Sequence, residues 1–203
     1  GRLLIANDGT HLQLGNLDEL STGAVVAPPV DGSLLAEELV TSADGTRVVV
    51  VTEHADGSSV VAIFDITRAT WWAPIVVPYQ SVNTALNSDG SQLAVAGGPD
   101  GVTLVYELGS STAPELLGEV AGVARPDESF TFYTAAAAFL PTGELVIGYE
   151  APIVKVVDAS SLVVLETLDV PAFSFNRTIT VVDDGHWLLG VGSLDVGNVS
   201  LLD

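Results

Sequence analysis

The sequence predicts an all-β protein assembled from repeated four-stranded antiparallel units. Three observations support this. Short runs rich in Val, Leu, Ile, Thr and Tyr recur along the 203 residues, and β-branched and aromatic residues suit a pleated, packed surface. Gly-containing turn dipeptides punctuate those runs, among them Asp44-Gly45, Asp89-Gly90, Asp100-Gly101 and Thr142-Gly143. Both the turns and the acids that close the runs return at one common interval.

The template is Asn87–Ser111, NSDGSQLAVAGGPDGVTLVYELGSS: a polar turn, Asp-Gly, an apolar run, Asp-Gly, and a second run closed by Tyr106-Glu107. Thr41–Thr70 repeats it almost element for element, Leu140–Ser161 with Thr-Gly for the first Asp-Gly, and Val182–Asp203 once more. Leu3–Gly23 supplies the second half of a unit. The first-turn glycines Gly45, Gly90, Gly143 and Gly185 stand 45, 53 and 42 residues apart. The closing acids Asp18, Asp65, Glu107, Asp158 and Asp203 stand 47, 42, 51 and 45 apart. Two landmark series thus share a period of about 45 residues, the range of a four-stranded propeller blade.

Each unit reads as strands A to D. Gly tolerates positive φ without a Cβ clash, and Asp is among the few other residues that accept it, so Asp-Gly suits the hairpin turns. The second unit is expected to run Glu38–Ser42, Arg47–Glu53, Ser59–Asp65 and Trp72–Val77. The third runs Val82–Asn87, Gln92–Ala96, Val102–Glu107 and Glu115–Val120. The fourth runs Thr134–Leu140, Glu144–Tyr149, Val154–Asp158 and Val164–Leu168. Near-continuous apolar runs such as Thr46–Thr52 fit strands covered on both faces. The four alanines of Thr134–Leu140 fit an innermost strand, where side chains crowd around an axis. Ala121–Phe132, rich in Pro, Asp and Glu, reads as a surface excursion.

The first unit lacks strand A and the last stops after strand C. The expected division is 1–33 partial blade, 34–80, 81–129 and 130–173 whole blades, and 174–203 partial blade. The two partial units overlap in their strands and cannot merge into one blade. The expected architecture is therefore an incomplete arc of about five blades from a seven-bladed ring of roughly 315 residues. Open blade edges in such an arc invite self-association.

At Asn87–Ser111 the chain resembles a WD-repeat, or the related YVTN-type repeat, of β-propeller proteins. Ser88-Asp89-Gly90 stands before strand B, Gly101 before strand C, and Tyr106-Glu107 at the usual Trp-Asp position. Phe64-Asp65, Val157-Asp158 and Leu202-Asp203 occupy that position elsewhere. No repeat has the family's Gly-His dipeptide or Trp before the acid, so its His–Ser/Thr–Asp–Trp hydrogen-bond network is not carried over. Composition and motif together look like the propellers of actinobacterial regulatory or signalling proteins. That resemblance implies a bacterial, cytoplasmic scaffold that binds other proteins; an extracytoplasmic ligand-binding propeller and a lactonase-like propeller enzyme are the alternatives.

Charge narrows the partners. Six basic residues face 26 acidic ones, a formal net charge of -20. Nucleic-acid backbones and anionic membranes are bound through basic residues, and Lys155 is the single lysine. A protein partner with a basic surface fits instead, with no nucleic acid and no membrane. The absence of Cys excludes disulfides, thiolate metal sites and cysteine nucleophiles.

No catalytic, cofactor-binding or metal residues are assigned. His11, His54 and His186 fall in or beside turns of three different units, with no His-x-His or His-Glu-x-x-His spacing. Asp183-Asp184-Gly185 and Ser88-Asp89-Gly90 fall short of a calcium loop and read as turns. No Gly-x-Ser-x-Gly, phosphate loop or dinucleotide fingerprint is present. Five scattered arginines do not make a lactonase mouth. Glu37-Glu38 and Asp127-Glu128 read as solvated charge. The candidate interaction surface is Trp71-Trp72, where strand alternation would bury one ring and expose the other; packing against the neighbouring blade is the competing role.

Self-repulsion at a charge of -20 is screened by salt, so the melting temperature should rise between low and moderate ionic strength. Thermal denaturation across a salt series checks this; a flat or falling trend would mean that the acids are paired or bind something specific.

Overall fold

The computed structural model describes residues 3–7, 12–16, 21–26, 33–79, 82–97, 100–124, 131–132, 134–149, 153–169, 176–183, 186–192 and 197–202, with side-chain detail largely within 39–79, 82–97, 100–123, 136–149 and 153–169. Every regular element among them is a strand. β1 (Leu3–Asn7), β2 (Leu12–Asn16) and β3 (Ser21–Val26) form a three-stranded antiparallel sheet. The second sheet holds β4 (Ser33–Thr41), β5 (Arg47–Glu53), β6 (Ser59–Asp65), β7 (Thr70–Trp71) and β8 (Ile75–Val77). The third holds β9 (Asn83–Leu86), β10 (Gln92–Ala96), β11 (Thr103–Glu107) and β12 (Glu115–Val120). A short ribbon follows, β13 (Val123–Ala124) with β14 (Thr131–Phe132). The fourth sheet is β15 (Thr134–Phe139), β16 (Glu144–Tyr149), β17 (Ile153–Asp158) and β18 (Val164–Asp169). The last is β19 (Asn176–Asp183), β20 (His186–Gly192) and β21 (Gly197–Leu202).

Strands B of all three central units, strands C of the second, and strand D of the third lie at the expected residues; other boundaries move by one to a few residues. Within each four-stranded sheet the strands pair in chain order, as antiparallel meanders. The A strands of successive sheets, β4, β9, β15 and β19, lie side by side, which places them innermost. The alanine-rich run is therefore a strand at the crowded centre, with Ala136 buried.

One expectation needs correcting here. Strand D of the second unit is interrupted, because Pro74 has no N–H to give a ladder. The Ala73 N–H turns instead to the Thr112 carbonyl of the third sheet at 2.7 Å, while Trp72 N–H bonds Ile63 O at 2.9 Å. The excursion after Ala121 carries a short ribbon, in which Val123 pairs with Phe132 and Ala124 with Thr131; residues 125–130 lie outside the described set, as do His11, Asp18, Asp127-Glu128 and Asp184-Gly185.

Both faces of the second sheet are apolar, and both are covered. Val49, Val51, Val61 and Ile63 pack with Trp72, Leu93, Val95 and Leu108 between the second and third sheets. Val48, Val50, Ala62 and Phe64 pack with Leu39, Ile66 and Trp71 on the opposite face. Ala85, Ala94, Val105 and Val120 meet Leu145, Ile147, Tyr149 and Val157 between the third and fourth sheets. Each fully buried Val or Ile contributes about 1.5–3 kcal/mol relative to exposure, so these faces dominate the stability.

Polar ties register one sheet on the next. The Arg47 guanidinium donates to the Gly90 carbonyl and lies 4.8 Å from the centroid of the Trp72 ring. Asp44 N–H bonds Ser88 O at 3.2 Å. One sheet further on, Gln92 Nε2 donates to Ala159 O at 3.3 Å. Arg47 and Gln92 both open a strand B, so one repeat position makes successive inter-sheet ties.

Gly90 sits at this junction with φ +69, and a Cβ there would lie 3.1 Å from Ser42 Cβ and 3.2 Å from Arg47 Cδ. Gly45 has nearly the same conformation, φ +70, with nothing within 4 Å. Gly90→Val should therefore destabilise by about 1–3 kcal/mol, and by more than Gly45→Val. Thermal unfolding of the two variants separates backbone conformation from crowding; equal losses would place the junction elsewhere.

Candidate interaction surface

The acids that close strand C have a local task. Asp65 accepts from Thr67 Oγ1 at 2.7 Å and Arg68 N at 2.9 Å, with the Arg68 guanidinium 3.8 Å away. Asp158 accepts from Ser160 Oγ at 2.7 Å, Ser161 N at 2.8 Å, and both Ser160 N and Ser161 Oγ at 3.0 Å. These Asp side chains substitute for backbone acceptors in the C–D turns. The same pattern caps other hairpins: Asp44 accepts from Thr46 N at 3.0 Å, Asp56 from Ser58 N at 3.0 Å, and Asp89 from Ser91 N at 2.9 Å. Asp89 is thus a turn residue. Among the described residues no group of three His, Asp or Glu side chains is arranged to hold a metal.

Hydrogen bonding sets the acidity of these groups. The Ser160 hydroxyl, then the Ser161 amide and hydroxyl, hold the Asp158 carboxyl down at about 2. The Ser91 and Ser58 hydroxyls lower Asp89 and Asp56 in the same way. At Asp65 burial opposes ionisation, and the bonds from Thr67 and Arg68 outweigh it.

The two tryptophans part as alternation requires, but neither stands free. Trp72 is 1% exposed, inside the packing between the second and third sheets, and so is not on the surface. Trp71 is half-buried on the opposite face, its ring centroid 5.0 Å from that of Phe64 at 57°. The face that alternation left for solvent is itself apolar, so Trp71 packs there. Both rings serve the stacking of this sheet.

His54 lies in the turn between β5 and β6, where its N–H bonds Ser58 O at 2.9 Å. His186 begins β20. Lys155 donates to Ala121 O at 2.7 Å and Gly122 O at 3.3 Å and stands 5.4 Å from the Tyr149 ring centroid. Burial lowers the Lys155 ammonium pKa and raises that of the Tyr149 phenol.

The exposed apolar groups lie elsewhere, on the outermost strands. Leu116 and Leu117 of β12, Val164 and Leu165 of β18, Val163 just before it, and Val76 of β8 are all exposed. A shared irregularity explains the adjacent pairs. Val105 pairs with Gly118 and Tyr106 with Leu116, leaving Leu117 extra. Val156 pairs with Glu166 and Val157 with Val164, leaving Leu165 extra. Such a bulge resets the two-residue alternation, so neighbouring aliphatics both face outward. Sequence reasoning missed this rim, although Leu-Leu and Val-Val-Leu on a strand with one open side were the available signal.

No protein-family model matches the chain, and no curated protein matches its sequence. Solved structures do. A chain of the crystallised mitotic checkpoint complex superposes with a TM-score of 0.70 at 16% identity, over 95% of this chain and 55% of that one. The β-propeller domain of Cps50 (Swd1) from Myceliophteria thermophila gives 0.71 at 12% identity, over 93% of this chain and 60% of that one. The fold is that of β-propeller blades. This chain spans less than two thirds of either neighbour.

Asp158 ionised is favoured by folding, because its pKa is about 2 against an ordinary 3.8. The stabilisation is present above the unfolded value and is lost as pH falls through the folded one. Asp158→Ala should melt below the parent at neutral pH, with the gap narrowing as pH falls from about 4 to about 2. Paired melting curves check this; a gap independent of pH would refute the turn's dependence on the carboxylate.

Proposed function

We propose that this chain is a non-catalytic propeller scaffold that binds a protein partner with a basic surface, within a larger bacterial regulatory or signalling protein of the cytoplasm. One observation underlies this reading. Among the described residues, five Asp and two Arg side chains are spent on turns and inter-sheet contacts, while aliphatic and acidic groups are offered to solvent on the outer strands. Asp44, Asp56, Asp65, Asp89 and Asp158 cap turns. Arg47 and Arg68 bond the Gly90 and Ser110 carbonyls of the third sheet, so neither guanidinium is held for a substrate. The propeller neighbours support the scaffold architecture, and the charge of -20 favours a cationic partner over a copy of the chain.

In this reading the units divide at 34, 81, 130 and 174, and further blades complete a seven-bladed ring. The test is purification of the intact protein from its source cells at physiological salt. A protein should co-elute at fixed stoichiometry and dissociate at high salt, and a lactone-hydrolysis assay should stay at buffer level. Elution of the intact protein alone, or turnover of a lactone, would overturn the proposal.

A further inference from the structure

Resting on that scaffold reading, we propose that the partner binds as an extended segment that carries cationic and aliphatic residues on both faces, added as a fifth strand along the open edge of β12. β12 ends its sheet, with β11 on one side and no strand on the other among the described residues. Its row of outward N–H and C=O groups is a template for another strand. A described sheet, the second with five strands and the fourth with four, lies on either side of the third one, so the exposure of β12 belongs to the rim. The strand exposes Leu116 at 53% and Leu117 at 40%. At Gly118 it meets the next sheet, where Leu162 Cδ1 would lie 2.8 Å from an added Cβ. That contact brings the exposed Val163, Val164 and Leu165 into the same region.

Charge chooses the occupant. Glu115 and Glu119 flank the leucines and are exposed, as are Glu107 on β11 and Glu166 and Asp169 on β18. Lys155, the cation at the far end of β12, is already bonded to the Ala121 and Gly122 carbonyls. A second copy of this edge would set carboxylate against carboxylate, which destabilises cross-strand pairs. Glu115 lies opposite Glu107 and Glu119 opposite Leu104, so the bulge at Leu117 puts the two carboxylates on opposite faces of the edge. A segment with Lys and aliphatic residues on both of its faces sets an ammonium group against each carboxylate and aliphatic side chains beside the leucines. Backbone pairing supplies affinity, and alternate side chains supply selectivity.

The test uses the full chain and a labelled synthetic peptide of repeating Lys-Lys-Val-Val, which puts Lys and Val on both faces of a strand, read by fluorescence anisotropy at physiological salt. A repeating Lys-Lys-Pro-Pro peptide of equal length and charge is the control, because proline cannot donate to a ladder. The Lys-Val peptide should bind about tenfold or more tighter than Lys-Pro. It should lose about tenfold on the doubly substituted variants Leu116→Ser/Leu117→Ser and Glu115→Lys/Glu119→Lys, whose exposed sites leave the melting temperature near that of the parent. Peptide-induced protection from hydrogen exchange should be confined to residues 115–120. Equal binding of Lys-Pro, protection elsewhere, or concentration-dependent dimerisation abolished by Leu116→Ser/Leu117→Ser would each overturn the inference. If the intact protein carrying either double variant keeps its co-eluting partner, the edge assignment fails while the scaffold reading stands.

Discussion

Every central sheet is apolar on both faces, and that constraint governs the molecule. Val48 and Val50 look one way while Val49 and Val51 look the other, and all four are buried. A sheet of this kind cannot fold alone in water, since one layer of neighbours covers only half of what must be hidden. Stacking is therefore the fold itself, and each unit depends on the next. The inter-sheet ties add direction to a contact that hydrophobic burial leaves undirected. Arg47 reaching Gly90 and Gln92 reaching Ala159 fix where each sheet sits on its neighbour.

The repeated acid shows how one position can keep its residue and change its work. In the family that the sequence resembles, the acid belongs to a network with His and Trp, and neither partner stands at the matching positions here. Asp65 and Asp158 instead collect hydroxyls and amides from the two or three residues that follow them. The closing acid of the third unit is Glu107, exposed at the end of β11. A side chain one methylene longer does not fit the compact Asx turn, so acidity alone is not what this position requires.

Much of the fold was legible because its signals are local. Asp-Gly turns fixed hairpin positions, and near-continuous apolar runs between them left little room for strands B and C to move. Strand D was harder to read. The Trp72–Val77 expectation overlooked what Pro74 does to a ladder and what Ala73 can bond instead, a carbonyl 39 positions away in sequence. For the tryptophans the sequence left two roles open, packing against the neighbouring blade and recognition of a partner. Alternation correctly sent Trp71 and Trp72 to opposite faces, but whether a face meets water depends on the neighbouring sheet, which no local pattern encodes. The aliphatic rim was missed for a related reason, since a buried strand and a bulged edge strand share the same apolar letters.

The three outer strands share one departure from regularity, which connects the repeat to its surface. Between the pairs Val61–Ile75 and Phe64–Trp71, β6 advances three residues while the outer chain advances four. In the third and fourth sheets the extra residues are Leu117 and Leu165. All three insertions fall near the aromatic or aliphatic residue that precedes the closing acid. An extra residue there bends the outer strand and increases its twist. It also makes the side-chain pattern on either side of the insertion fall out of step. In the second sheet the insertion is taken up by the break at Ala73-Pro74 and by burial of Trp72. In the third and fourth sheets it leaves two consecutive aliphatics in water, each pair beside a glutamate, Glu115 or Glu166. The same geometric device thus gives a buried anchor in one blade and an apolar, acid-flanked edge in the next two.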